Sequence, residues 1–317
     1  LRWAIAGRSE QKLEKLRHAL GAEAAALPTI VADSFDAHKL AEMAAKTRVV
    51  VTTVGPYAKY GSALVAACVE QGTHYCDLAG EAQWIRRMID THHEAAAKSG
   101  ARIVHCCGFD SVPMDIGVHF LQQEARRRHG EYCASIVMNV KAMRGTFSGG
   151  TMASMMNLVR EARADREVAR VLMNPYGLNP EGERKGADKG DQRGVKFDET
   201  AQVWTAPFIM AGINTKVVRR SHALQGYPYG RDFRYQEATM MGKGVRGWLG
   251  ASAMSIGLGG FVLVASLGPT RRLLERYLLP VLGKTALAGD GATVRIVVSA
   301  AAETWQEHQV ITVRSYL

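Results

Sequence analysis

Cysteine is scarce and unpatterned in this sequence, five residues in 317, and that excludes the disulfide framework of a small secreted domain. Cys106 and Cys107 stand next to His105, but successive side chains on a strand point to opposite faces, so the three do not converge on one ion. Buried thiols in a reducing, cytoplasmic compartment are expected instead, and no metal. A concentrated basic tract interleaved with aromatics is also missing. The net charge is +10, yet its pairs and triplets (Arg86-Arg87, Arg126-Arg127-Arg128, Arg219-Arg220, Arg271-Arg272) are scattered, which argues against a dedicated nucleic-acid binder. Phosphorylated small molecules and anionic lipid are the partners such a charge attracts.

Two further absences are local. No charged residue occurs from Gly247 to Thr270, a stretch long enough to cross a bilayer but diluted by six glycines. It is read first as a buried or interface helical hairpin; a membrane-surface or lipid-facing element and a true span stay open. Nor does a glycine-rich phosphate loop precede Gly7, since only six residues stand before it. No signal-peptide pattern is visible, and the chain begins with Leu1 rather than Met. The expectation is that a strand carrying that loop precedes Leu1 in the complete gene product, between the strands at 2–6 and 49–54.

What is present is a regular alternation. Short apolar strands at 2–6, 29–33, 48–54, 74–78 and 101–107 are separated by helical stretches at 9–20, 36–46, 62–71 and 83–99. The β-branched run Val49-Val50-Val51-Thr52-Thr53-Val54 suits a strand covered on both faces. Strands alternating with helices of this length predict a parallel sheet with right-handed crossovers, a Rossmann-type domain over residues 1–113. After Asp115 longer strand-like runs appear at 134–142, 233–241, 293–300 and 309–313, with a helix near 151–163. Residues 114–317 are therefore expected as an α+β substrate domain on an antiparallel sheet. The polar, glycine-rich stretch 179–194 reads as a mobile surface loop.

The candidate site residues lie where strands end. In a dinucleotide-binding fold, an acidic residue at the end of the second strand accepts from the ribose 2′-hydroxyl. Here Gly7-Arg8-Ser9 ends the first visible strand, so Arg8 can pair with a 2′-phosphate and Ser9 can donate at a helix start, which favours NADP over NAD. Asp33 and Ser34 end the next strand, placed to approach adenine or to cap the following helix. In the turn Thr53-Val54-Gly55-Pro56-Tyr57, Gly55 lets backbone approach the cofactor and Pro56 stiffens the turn. Tyr57 is the first choice as proton donor, with packing beside the cofactor as the alternative. Asp77 and Glu81 are catalytic candidates or loop ties, and Asp110-Ser111 before Pro113 reads as a helix cap.

Four motifs in order, Trp3-Ala-Ile-Ala-Gly-Arg-Ser9, Val51-Thr-Thr-Val-Gly-Pro-Tyr57, His74-Tyr-Cys-Asp-Leu-Ala-Gly-Glu81 and Cys107-Gly-Phe-Asp-Ser-Val-Pro113, resemble the saccharopine dehydrogenase-like oxidoreductases. Phe147-Ser-Gly-Gly-Thr151 extends the likeness to about residue 160, and within that group it runs to the trans-acting enoyl reductases of bacterial lipid synthesis. The resemblance implies an NADP-binding domain, with Gly108, Phe109 and Asp110 joining the cofactor residues, and a substrate domain that closes over the nicotinamide. The expected activity is NADPH-dependent reduction of an enoyl or carbonyl group on a lipid-like, carrier-linked acyl substrate. A membrane-associated NADP-binding protein without turnover is the alternative, as is a saccharopine-type amino-acid dehydrogenase, for which Arg144 and Arg231 are available to grip carboxylates. A homodimer and a peripheral membrane location are also open.

Overall fold

The computed structural model describes residues 2–108, 111–144, 149–274, 276, 293–301 and 306–314. The chain divides into two compact units, Leu1–Ala79 with Arg87–His105, and Gly80–Arg86 with Cys106–Leu317.

The first unit alternates strand and helix as β1 (Ile5–Gly7), α1 (Glu10–Ala19), β2 (Thr29–Val31), α2 (Ala37–Ala45), β3 (Val49–Thr52), α3 (Tyr57–Tyr60), α4 (Ser62–Glu70), β4 (His74–Asp77), α5 (Ala82–Ser99) and β5 (Ile103–Val104). All its strand pairs are parallel. β1 lies on β2 with Gly7 opposite Val31, and β3, β4 and β5 form a second ladder with Thr52 opposite Asp77 and Tyr75 opposite Ile103. Parallel strands joined by crossover helices make this a Rossmann-type arrangement. The strands are shorter than the apolar runs suggested; the run at 101–107 pairs over only two residues, because Cys106 turns away at φ 61°.

Side-chain caps start the helices. The Ser9 hydroxyl accepts from Lys12 N–H at 3.4 Å, and the Asp36 carboxylate accepts from Lys39 N–H at 3.0 Å. Leu40, Met43 and Ala44 of α2 are buried, as are Leu64, Val65, Cys68 and Val69 of α4. Removing the Leu, Val and Met side chains among these from water contributes about 1.5–3 kcal/mol each. The Thr73 hydroxyl donates to Ala44 O at 2.8 Å and ties the start of β4 to α2.

The second unit holds α6 (Val112–His129), β6 (Ser135–Arg144), α7 (Gly149–Ala164), α8 (Arg166–Met173), β7 (Lys196–Asp198), β8 (Val203–Pro207), α9 (Ala211–Leu224), β9 (Arg234–Gly242), α10 (Gly244–Ser266), α11 (Gly268–Leu273), β10 (Thr293–Ala301) and β11 (Gln306–Arg314). Its six strands run in the order β11-β10-β6-β9-β8-β7. The sheet is mixed rather than antiparallel as expected: β6 and β9 pair parallel, with Ser135 opposite Arg234, and the other neighbours pair antiparallel. A core of Met114, Val118 and Leu121 from α6, Ile136 and Met138 from β6, and Val218 from α9 closes around Tyr229, Phe233 and Tyr235. α6 ends at Gly130, whose φ of 80° suits a left-handed cap and lets its N–H return to Arg126 O.

Two expectations change here. The stretch 179–194 is irregular but not a loose surface loop, since Asn179 and Asp188 are buried and Asp188 pairs with Arg219 at 2.8 Å. The last residues of the uncharged segment begin α11, and most of it, residues 247–266, lies in one continuous helix, α10, rather than a buried hairpin. Only 11% of its most apolar window is buried, and Val245, Leu249, Ile256, Val262 and Leu263 are exposed around it. Where it does touch the sheet it is held close: a Cβ on Gly247 would collide with Gly242 O.

Candidate functional site

In the first unit the candidate residues gather at the carboxyl ends of the parallel strands, where ligands of such sheets sit. β1 delivers Arg8, solvent-exposed, at the N-terminal end of α1, whose cap is Ser9. Gly7 packs against α1 closely enough that a Cβ would meet Leu13 Cδ2 at 3.3 Å. β2 brings its own end alongside, Ala32 N–H donating to Gly7 O at 3.0 Å, so that Arg8-Ser9 and Asp33-Ser34 are neighbours. Asp33 does not cap α2, which Asp36 does; its Oδ1 accepts from Phe35 N–H at 2.9 Å within the turn. That turn presents Phe35, 75% exposed and edge-on to Tyr60 at 5.7 Å, a residue that sequence reasoning passed over.

At the end of β3, the Thr52 hydroxyl accepts from Val54 N–H at 3.2 Å, and Thr53 and Val54 are exposed. Pro56 opens α3, and a Cβ on Gly55 would lie 3.4 Å from the Tyr57 ring. The buried Tyr57 hydroxyl donates to Thr52 O at 3.1 Å and accepts from Leu78 N–H at 3.2 Å, joining the turns after β3 and β4.

Asp77, at the end of β4, is fully buried among polar partners. Tyr75 Oη donates to Oδ2 at 2.9 Å, Ala79 N–H donates to Oδ1 at 2.9 Å, and His105 Nδ1 stands 2.6 Å from Oδ2. Three donors converging on one carboxyl group suit the ionised, acceptor-only form. With Asp77 as acceptor, His105 Nδ1 carries a proton toward it, which fixes the ring's orientation. Burial, and next the charge of Asp77, push the Tyr75 hydroxyl far above its usual range, so it stays a donor. Asp77 was legible as a candidate; His105 was not, having been weighed only as a metal ligand. No cluster able to hold a metal occurs among the described residues.

The second unit places the remaining candidates. Glu81 is buried; its carboxylate accepts from the Ser154 hydroxyl at 3.0 Å while its carbonyl accepts from Trp84 and Ile85 N–H, anchoring the start of α5 to α7. Gly108 O accepts from Ser111 and Val112 N–H at 3.2 and 3.0 Å. Phe109 and Asp110 lie outside the described residues, as does the side chain of Arg144. Arg231 is paired with Glu183 at 2.8 Å and lies over the Tyr227 ring. Ser111 precedes α6 but does not cap it through its side chain, because its hydroxyl donates to Asn214 Oδ1 at 2.9 Å.

That bond opens a buried polar chain. Asn214 Nδ2 donates to Glu237 Oε2 at 3.1 Å, and Tyr235 Oη donates to Glu237 Oε1 at 2.8 Å. Burial pushes the Glu237 carboxyl up to about 8, and it pulls the buried Lys216 ammonium, which donates to Gly212 O at 2.9 Å, down to about 8. Arg219 ties the chain to the 179–194 stretch through Asp188 and to β9 through Tyr235 O at 2.9 Å. Period-two alternation puts Tyr235 and Glu237 on one face of β9, the one signal the sequence held for this network.

Parallel strands joined by crossover helices, with the candidate residues at the strand ends, make the first unit a dinucleotide-binding type of domain. Residues 1–104 match the family model described as the saccharopine dehydrogenase NADP binding domain. A Mycobacterium tuberculosis protein named as a trans-acting enoyl reductase is 46% identical over 253 residues, covering 77% of this chain and 60% of that protein. A trans-acting enoyl reductase of Mycobacterium bovis is 41% identical over 276 residues, covering 81% of this chain and 65% of its own length. The chain thus spans less than two thirds of these relatives. Among solved structures, the apo saccharopine dehydrogenase (L-Glu forming) of Saccharomyces cerevisiae aligns over 99% of this chain and 79% of its own, at 12% identity and a TM-score of 0.48. Residues 1–104 are thus similar to a saccharopine dehydrogenase NADP binding domain, and the chain is a relative of the trans-acting enoyl reductases.

Proposed function

We propose that this protein is an NADPH-dependent reductase of an enoyl or carbonyl group on a lipid-like acyl substrate, with a phosphorylated carrier suited to its basic surface. The observation that carries the reading is Arg8-Ser9 at the end of β1, a cation and a helix start where an NAD site would hold an acid. Arg8 would grip the 2′-phosphate, the exposed Phe35 would flank the adenine, and the Gly55 turn would lie along the cofactor. NADPH supplies a hydride, which for an enoyl group goes to the β-carbon. The protein's share is then one proton to the α-carbon. His105 supports that role through Nε2, because Asp77 holds its Nδ1. Tyr57, the donor first expected, is here a positioning residue, since its hydroxyl holds the turns after β3 and β4 together.

Reduction of a short enoyl thioester, followed as NADPH oxidation, tests this. His105→Gln is expected to lower kcat by about 10²–10⁴ with NADPH affinity unchanged. A variant that turns over at the normal rate removes His105 from the chemistry, and a protein that oxidises NADPH with no enoyl or carbonyl substrate overturns the reductase reading.

A second reading concerns partners, and the exposure of α10 favours it. A helix apolar all round that is not buried by its own fold belongs in another apolar medium. With Lys243, Arg246, Arg271 and Arg272 at its ends, an anionic lipid surface suits it better than a second copy of so basic a chain. The acyl substrate class and the lipid contact support each other.

A further inference from the structure

The second unit contains a cavity of about 270 Å³ between α6 and α9 that no part of the reductase reading uses. Ile116, Val118, Val218 and the Tyr229 ring give it apolar walls. Its polar atoms are mostly acceptors. Asp115 of α6 and Ser221 of α9 both line it, and Ser221 Oγ donates across the cleft to Asp115 Oδ2 at 2.8 Å, so the carboxyl group lies between the two helices. Asp115 is partly exposed; its other oxygen, Oδ1, has no hydrogen-bond partner among the described residues and keeps accessible surface.

The wall is short of donors. The Ser221 hydroxyl has spent its single proton on Asp115, so only lone pairs remain to it. Gln225, just past the end of α9, donates through Nε2 to Ser221 O at 3.1 Å, which leaves its Oε1 open as an acceptor. His119 Nδ1 and Tyr229 Oη engage each other at 3.2 Å. Burial, opposed by the Ser221 hydrogen bond, raises the Asp115 carboxyl above its usual range, so a cation beside it would relieve the cost of its charge. The cleft therefore sets a carboxylate and neutral acceptors inside apolar walls.

We propose that this cleft binds a small organic ammonium ion with an apolar body, one N–H donating to Asp115 Oδ1. A metal ion fits it poorly, because hard cations take about six oxygens and aliphatic walls do not supply them. A guanidinium fits poorly too, since its fork uses both carboxylate oxygens and Ser221 occupies one. An ammonium needs only one, and Ser221 Oγ and Gln225 Oε1 are further acceptors on the same wall. A dry cavity of ~150 Å³ takes one benzene ring, so about 270 Å³ has room for a ring with an aminomethyl arm. All these residues belong to the second unit and none enters the reductase reading, so the site stands whether or not that reading does.

Two probes of nearly the same shape separate recognition of charge from plain apolar filling. Benzylamine is protonated at neutral pH; benzyl alcohol is its neutral counterpart. Titrated into the full chain by ligand-observed NMR and calorimetry, benzylamine is expected to bind about tenfold more tightly. Asp115→Asn keeps an oxygen to accept from Ser221 and removes the charge, so it should abolish that preference. Ile116→Trp, at an exposed position on the wall, should weaken both probes about tenfold by narrowing the mouth, and it stays informative where the Asp115 variant does not fold. Equal affinity for the two probes, a preference that survives Asp115→Asn, binding indifferent to Ile116→Trp, or the lack of saturable binding overturns the proposal.

Discussion

Asp77 and His105 are 28 residues apart in sequence and 2.6 Å apart in space, at the ends of β4 and β5. Adjacent parallel strands put them there, and the buried carboxylate orients the imidazole while Tyr75 and Ala79 hold the carboxylate. Asp77→Ala leaves three donors facing a void. It is expected to lower the unfolding free energy by roughly 1–3 kcal/mol or more, the cost of leaving a buried donor without its partner. Urea denaturation measures it, and a loss below 1 kcal/mol would mean that water replaces the carboxylate and that the pair is loosely held.

Arg8→Ala should weaken NADPH binding by roughly 1.5–3 kcal/mol, the range for a hydrogen bond to a charged group, and leave NADH nearly unchanged. Calorimetry with both cofactors decides it. Equal losses would remove the case for a 2′-phosphate contact.

Charging the apolar helix tests its surroundings. Ile256 and Leu263 are 74% and 63% exposed, so the pair of substitutions Ile256→Glu and Leu263→Glu costs little folding stability. Flotation with anionic vesicles should recover the unaltered protein and not the variant, and NADPH binding should persist. Should vesicles be ignored by both while sedimentation shows a dimer that the variant breaks, α10 is a subunit interface.

Glu237 predicts a pH dependence. Its carboxyl is raised from 4.5 to about 8 in the folded state, so the folded protein holds the proton more tightly than the unfolded chain. The stabilising contribution is full below pH 4.5 and is lost as pH rises through about 8. Lys216, lowered from 10.5 to about 8, runs the other way: its contribution is present above pH 10.5 and is lost as pH falls through about 8. Between pH 5 and 8 the unaltered protein should lose unfolding free energy relative to Glu237→Gln, whose side chain does not titrate. Parallel curves would show that Glu237 is ionised in the fold.

The first unit was legible because its signals are local. β-branched runs and helices of regular length announce themselves in the sequence, and the expected elements lie within a few residues of those observed, while the short α3 was read as a turn and the cap of α2 falls on Asp36 rather than Asp33 or Ser34. The second unit was less so, since β6 finds β9 across about a hundred residues and nothing local encodes a parallel partner. α10 was misjudged as a buried hairpin because composition gives apolarity without saying which surface covers it. His105 stayed hidden for a related reason: its meaning depends on Asp77, and only the sheet brings them together. Asp188 likewise looked like one acid in a polar loop until Arg219 gave it a partner.

The parallel β6–β9 pair also sets an order of events. These strands occupy the middle of the six-stranded sheet, and closing so long an intervening segment carries an entropic penalty before any ladder bond repays it. On the ribosome, β6 emerges long before β9 and must wait with both edges unmatched, a state in which it can pair with another nascent chain. The second unit should therefore fold slowly and late, and its yield should depend on chaperones that shield waiting strands more than on the stability of the finished protein.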